Sequence, residues 1–507
     1  MNRNAPLAIA WPQSNAPRLS DPASEWERRE LLELGENIIA QAPSAWPRFQ
    51  SWMTAVHRLS DDACKAFTPE AALTSLTGEL RRLWLTTASE KIGPNDGAPE
   101  QPLQVRPEAP ASGLYVAYSR DADSRPNDLE SRCPAMPAAS EWAADHIVFS
   151  SAQGALASVL YWAIIQGFWD ANAAPHLTFA GSNFETQTLL DSFNRAGLTW
   201  GQPKNAEAPK KNAARKSRVI LIEPAFCDES ANVMNIAAFH KTWRKTLSAE
   251  PTLVILDTTL TGPLFPIGEL LESLEGTSAP VVVNLRSGSE LDQAGLELAN
   301  VGIASIFRHK SGNGETQDFA RRLRQARATV GAGLSAADTA ALQAPWFLNG
   351  NYFRRYTLAV FDNNARLADD LAGGGRLFAN VLHPKFARAR CRWAQAPYTL
   401  LRLQEPSPEN YKFLERVIAF ESRRRGIFLE RGKGFGNRGH RFQAVIPEKD
   451  RGTPHLRVAM GARSTPSLER TSRLLRELAQ FHDFSQLVAQ YEGVVPRWSE
   501  ASARFRP

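Results

Sequence analysis

Thr252-Leu253-Val254-Ile255-Leu256-Asp257-Thr258-Thr259 is an apolar run that stops on an acid and two hydroxyls. A short run of Leu, Val and Ile reads as a strand buried on both faces, the kind found inside a parallel sheet. The same pattern recurs in HIVFSS (146–151), PHLTFAG (175–181), RVILIEP (218–224), APVVVNL (279–285) and VGIASIF (301–307). Segments of helical period, such as Ala155 to Gln166 and Glu185 to Ala196, lie between several of these runs. Strand–helix alternation of this kind predicts an α/β unit over residues 112–344 with a doubly wound, mostly parallel sheet. In such a sheet the ligand sits beyond the C-terminal ends of the strands.

The flanks differ. Residues 1–111 read as a helical N-terminal extension, with amphipathic helices at Glu25 to Ala40 and Pro69 to Thr86 and with Trp46, Trp52 and Trp84 as apolar anchors. It closes in a Pro-rich linker, IGPNDGAPEQPLQVRPEAPASG, and carries no catalytic constellation, so it is expected to pack on the main body or on a partner. Residues 345–507 read as a smaller α+β C-terminal domain with long helices at Arg354 to Leu371 and Glu409 to Arg424.

Composition narrows the function classes. Lys and Arg number 59 against 53 acidic residues, a net charge of only +6 over 507 residues, and no long basic stripe carries interleaved aromatics. That argues against nucleic acid, and the basic run NAEAPKKNAARKSR reads as a solvated loop. The four cysteines, Cys64, Cys133, Cys227 and Cys391, match no metal-ligand spacing and argue against a zinc site or a disulfide scaffold. No stretch approaches the ~20 apolar residues of a membrane span. The first thirty residues hold only a short apolar patch broken by prolines, so the expectation is a cytoplasmic protein with reduced thiols.

Chemistry is concentrated at the strand ends. Ser150-Ser151-Ala152-Gln153-Gly154 runs from a strand straight into a helix, which offers free backbone N–H groups to an anion such as a phosphate. The third strand ends in Glu223-Pro224, and the fourth in Asp257-Thr258-Thr259 followed by Gly262-Pro263. A strand-end carboxylate needs a charge partner when buried, and a cationic ring nitrogen would serve.

In order along the chain, Tyr118-Ser119-Arg120, Pro126, Leu129-Glu130, the Ser150-Ser151 turn, Glu223-Pro224, Asp257-Thr258-Thr259 and Leu456-Arg457-Val458-Ala459-Met460-Gly461 resemble the Cys/Met-metabolism family of fold-type I pyridoxal-phosphate-dependent enzymes. That family includes the cystathionine synthases and lyases and methionine γ-lyase. The resemblance covers about residues 112–475. It implies pyridoxal 5′-phosphate as cofactor, an amino acid or its cofactor adduct as substrate, and a homo-oligomer, dimer or tetramer. Tyr118 and Arg120 match the pair that reaches the phosphate of the neighbouring subunit. Ser151, Ala152 and Gln153 match the phosphate turn, with Ala152 in place of the family's Gly. Asp257 matches the partner of the pyridinium nitrogen, and Arg457 the clamp on the substrate carboxylate. Phe184 falls near the Tyr that stacks on the ring and lacks its phenol. The segment from Arg425 to Gly436, with Gly432-Lys433-Gly434-Phe435-Gly436, resembles a Gly-rich turn of aminotransferases with this fold.

One position departs severely. The family follows its Asp with Ser-x-x-Lys, whose Lys covalently holds the cofactor and then moves the α-proton. Here Ser287 matches the phosphate-side serine, Glu290 occupies the lysine position, and no Lys lies between Lys245 and Lys310. A carboxylate cannot form a Schiff base. Three readings stay open: a non-catalytic pseudoenzyme or scaffold that lends Tyr118 and Arg120 to a catalytic paralogue; an enzyme of altered chemistry using a preformed adduct or the aminated cofactor, with Glu290 as base; or a lysine from elsewhere, Lys310 first.

Overall fold

The computed structural model describes residues 23–59, 67–90, 125–133, 141–165, 168, 176–195, 197–202, 218–226, 232–249, 252–275, 281–310, 318–387, 391–447 and 452–495. Tyr118, Arg120, Cys64, Cys227, the Pro-rich linker and all but the last residue of the basic run fall outside them.

Each apolar run forms a strand: β1 Trp142–Phe149, β2 Leu177–Ala180, β4 Val219–Ile222, β5 Leu253–Asp257, β6 Val281–Ser287 and β7 Gly302–His309. A short β3, Trp200–Gly201, adds an edge that its two residues were too few to signal. The sheet order is β1-β7-β6-β5-β4-β2-β3. Strands β3, β2, β4, β5 and β6 are mutually parallel, whereas β7 runs antiparallel to both β6 and β1. The C-terminal ends of β1 and β6 therefore meet the start of β7, with Phe149 and Ser287 both paired to Gly302.

Alternation along the strands feeds two cores. Leu253 and Ile255 of β5 and Val281, Val283 and Leu285 of β6 face helices α5 (Ala152–Ile165), α6 (Phe184–Asn194) and a later helix, Phe319–Thr329. Val254, Leu256 and Val282 face α7 (Ile236–Ala249) and α8 (Ile267–Ser273). The period of two carries past the apolar residues and puts Asp257 and Ser287 on the α5/α6 side.

The C-terminal sheet has the order β10-β11-β12-β9-β8, from β8 Phe378–Leu382, β9 Thr399–Leu403, β10 Leu429–Arg431, β11 His440–Val445 and β12 His455–Ala459. Its core is closed by the helices Pro408–Arg424, Pro466–Ala479 and Phe484–Tyr491.

The N-terminal layer comprises α1 Ala23–Gln41, α2 Trp46–Arg58 and α3 Phe67–Glu90, where the sequence signalled only the first and last. Trp52 and Trp84 are buried anchors, their indole N–H groups donating to Leu76 O and Ala341 O at 2.8 and 2.7 Å. Trp46 is no anchor: it opens α2 and is 43% exposed. This layer shares one core with Leu291, Leu296, Leu298 and the first half of the helix Gly350–Leu371. The second half of that helix belongs to the C-terminal core.

Candidate active site

Four strand ends and two helix starts converge on the α5/α6 side. At the end of β1, Ser151 caps α5, its Oγ accepting from Gly154 N at 2.9 Å. The N–H groups of Ala152 and Gln153 precede the first intrahelical partner and are left for an anion. Gly302 lies so close that a Cβ there would stand 2.2 Å from Ser151 O, so only glycine lets β7 start beneath this turn. The Gln153 side-chain oxygen is buried with no protein partner. Turned end for end, that amide would offer its NH2 donors instead.

At the end of β4, the buried Glu223 carboxylate accepts from Ser182 N at 2.8 Å and Asn183 N at 3.1 Å. It fixes the turn that opens α6, where Asn183 caps the helix through Glu185 N. Phe184, the first residue of α6, is left 57% exposed, a planar apolar face open to a ligand. The Glu223-Pro224 signal thus marks a residue that shapes the wall.

At the ends of β5 and β6, the two carboxylates are linked by hydrogen bonds. Asp257 Oδ1 accepts from Thr259 N at 3.0 Å, Thr259 Oγ1 accepts from Ser287 N at 2.9 Å, and Ser287 Oγ donates to Glu290 Oε2 at 2.7 Å. Thr258 locks the turn by donating to Asn284 Oδ1 at 2.8 Å. Burial pushes the Asp257 carboxyl above its ordinary range, with Glu185 of α6 adding to the effect and the Thr259 hydrogen bonds opposing it. No Lys or Arg among the described residues pairs with it. Burial raises Glu290 too, against the Ser287 hydrogen bond. With Glu290 ionised, the Ser287 hydroxyl proton is committed to it, which competes with the phosphate role expected of Ser287.

The C-terminal domain closes the other side. Gly436, at φ +70°, packs on Glu290, and a Cβ there would stand 3.1 Å from Glu290 Cβ. Phe435 stacks edge-on against Tyr398 at 5.8 Å, and both cluster with Leu260 of the Asp257 turn, Leu400 and Ala459. The Arg457 guanidinium lies 5.9 Å from the Tyr398 ring centre and donates to Gln443 Oε1 at 2.9 Å. Among the described residues it has no carboxylate partner. Asp257, Ser287, Glu290, Phe435, Tyr398 and Arg457 thus form one continuous set of contacts.

Lys310 is not part of it. Because β7 is antiparallel, Lys310 follows its far end, with its N–H bonded to Glu141 O at the start of β1. At ~3.3 Å per residue, the eight residues Gly302–His309 put it about 25 Å from the site. Among the described residues no cluster of three or more His, Cys, Asp or Glu is arranged to hold a metal.

Sequence reading missed the brace behind Gly436. Tyr356 donates to Gly436 O at 2.9 Å, and Arg438 bonds Tyr352 Oη at 3.0 Å and Glu30 of α1 at 2.7 Å, buried throughout. Nearby, Arg463 grips Glu27 bidentately at 2.6 and 2.9 Å. Arg81 of α3 donates to Leu296 O and Glu297 O in the loop after Glu290. The first two ion pairs span 408 and 436 residues of chain, a separation at which no local pattern carries a signal.

No family model matches this chain, and no curated protein matches it. Solved structures do. The chain is similar to cystathionine gamma-lyase from yeast over 78% of its own length and 98% of that chain, at 14% identity and a TM-score of 0.52. It also matches a methionine gamma lyase from Micromonospora echinospora (77% and 96% covered, 16% identity, TM-score 0.47) and a Sphingomonas wittichii serine palmitoyltransferase (81% and 84%, 12%, 0.46). The likeness to the yeast structure shows the fold: a fold-type I transferase-like α/β domain with its smaller C-terminal domain.

Proposed function

We propose that this chain holds pyridoxal phosphate or its amino-acid adduct without a covalent lysine bond and acts on an amino acid by elimination, replacement or transamination. The observation that carries the reading is Asp257: a strand-end carboxylate, raised by burial, with hydrogen bonds from Thr259 alone and no cation among the described residues. A pyridinium N–H is the missing partner. The turn from Ser151 to Gln153 holds the phosphate and Phe184 covers the ring. Arg457 takes the substrate carboxylate bidentately, a role that suits a guanidinium with no carboxylate partner among the described residues. In the same proposal the chain is a homo-oligomer in which Tyr118 and Arg120 of a second copy complete the phosphate site.

When bound, this cofactor supplies an electron sink for the bonds at the substrate's α-carbon. The residues of the chain do the rest: Asp257 keeps the ring nitrogen cationic, the Phe435–Tyr398 contact screens water, and Glu290 holds or moves a proton from Oε1 while Oε2 rests on Ser287. One observation favours a second reading, a pseudoenzyme: Lys310, the nearest lysine in sequence, stands at the wrong end of the sheet.

Substituting Glu290→Lys tests the placement. With pyridoxal phosphate added, the variant is expected to gain a visible-region absorbance that survives gel filtration, and borohydride should fix the mass increase at position 290. A colourless variant would show that Glu290 does not occupy the lysine position.

A further inference from the structure

The proposed cofactor exists in an aldehyde and an amine form, and the groups around Glu290 are not indifferent to which one arrives. Resting on the reading above, the question is what Glu290 faces. Its Oε2 accepts from Ser287 Oγ at 2.7 Å, its own backbone N–H also donates to the carboxylate, and no Lys or Arg among the described residues pairs with it. The charges packed around it are acidic or already matched. On its own loop, Asp292 is held by Arg286 at 3.0 Å and Glu297 by Arg441 at 3.3 Å. On the neighbouring strand end stands Asp257, without a cation. On the C-terminal side, Gly436 covers Glu290, and the next arginine, Arg438, is committed to Glu30.

A half-buried carboxylate without a cation in acidic surroundings is relieved by a cationic donor. An aldehyde oxygen is an acceptor only, so against Glu290 it sets two acceptors face to face. A primary ammonium brings three donors and a positive charge. The amine form also keeps the ring N–H that suits Asp257, so each carboxylate of the linked pair takes one cationic group.

We infer that Glu290, a carboxylate without a cation, makes this pocket a receptor for the amine form of the cofactor, pyridoxamine phosphate, in preference to the aldehyde form. The replacement of lysine is then a change of ligand rather than the loss of one.

Equilibrium binding of pyridoxamine phosphate and of pyridoxal phosphate to the full chain at pH 8 tests this, with Glu290→Gln and Asp257→Ala alongside and circular dichroism to check the fold. The expected result is at least ~10-fold tighter binding of the amine form by the wild type, the scale of one charge-assisted hydrogen bond. Glu290→Gln should bring the ratio close to unity by weakening the amine form alone. The preference should also fade as pH falls and Glu290 protonates. Equal or aldehyde-preferring binding that still depends on Asp257 would overturn the inference and leave the cofactor reading standing. A preference that survives in Glu290→Gln would overturn it as well. No saturable binding of either form would overturn both.

Discussion

A half-buried carboxylate without a cation is an energetic defect, and Asp257 at the end of β5 and Glu290 in the loop after β6 are two of them. In both, burial raises the carboxyl above its unfolded value. The folded chain therefore binds those protons more tightly than the unfolded one, and stability falls as pH rises from the ordinary carboxylate range through the raised values. Neutral isosteres remove that cost. Asp257→Asn and Glu290→Gln are each expected to stabilise the ligand-free protein at pH 8 by on the order of 1 kcal/mol, read as a higher Tm. The same Asp257→Asn substitution should weaken cofactor binding by tenfold or more. A lower Tm in both variants would mean that the carboxylates have protein partners that stabilise the fold.

At the scale of elements, the N-terminal helices brace the pocket from behind. Replacing Glu27 by Ala leaves Arg463 buried without its acid, which should cost about 3–5 kcal/mol and show in thermal unfolding. Tyr356→Phe removes only the bond to Gly436 O, so it should loosen the turn without undocking the helices. Tryptic cleavage after the exposed Lys433 in that turn is expected to rise several-fold while Tm shifts by only a few degrees; unchanged cleavage would separate the brace from the pocket. These couplings mark the limit of what the sequence discloses. The run 252–259 announced β5 and placed Asp257 at its end because Leu, Val and Ile have few other uses in such a run. The direction of β7 was illegible, since an apolar run looks the same read either way, and that direction removes Lys310 from the site. Glu290 was found by its spacing from Ser287. Tyr398 and Glu30 were not, because their roles arise only when distant segments meet.

For the whole molecule, acid should act through two histidines that burial holds neutral. His146, bonded to Ser305 Oγ at 2.9 Å, is lowered to about 4, and His440, accepting from Gly461 N at 3.1 Å, to about 3. A lowered folded value means a contribution fully present above ~6.5 and lost as pH falls toward 4 and 3. Unfolding midpoints should therefore drop over that window, and His440→Gln should flatten the lower part of the slope. No helix among the described residues is long and apolar enough to cross a membrane. Two domains braced by a helical layer are proposed to hold a cofactor against Asp257, and titration of the wild type and Asp257→Ala with both cofactor forms decides this. Saturable binding of at least one form to the wild type is expected, weakened tenfold or more by the substitution; binding that is absent, or indifferent to Asp257, would overturn the proposal.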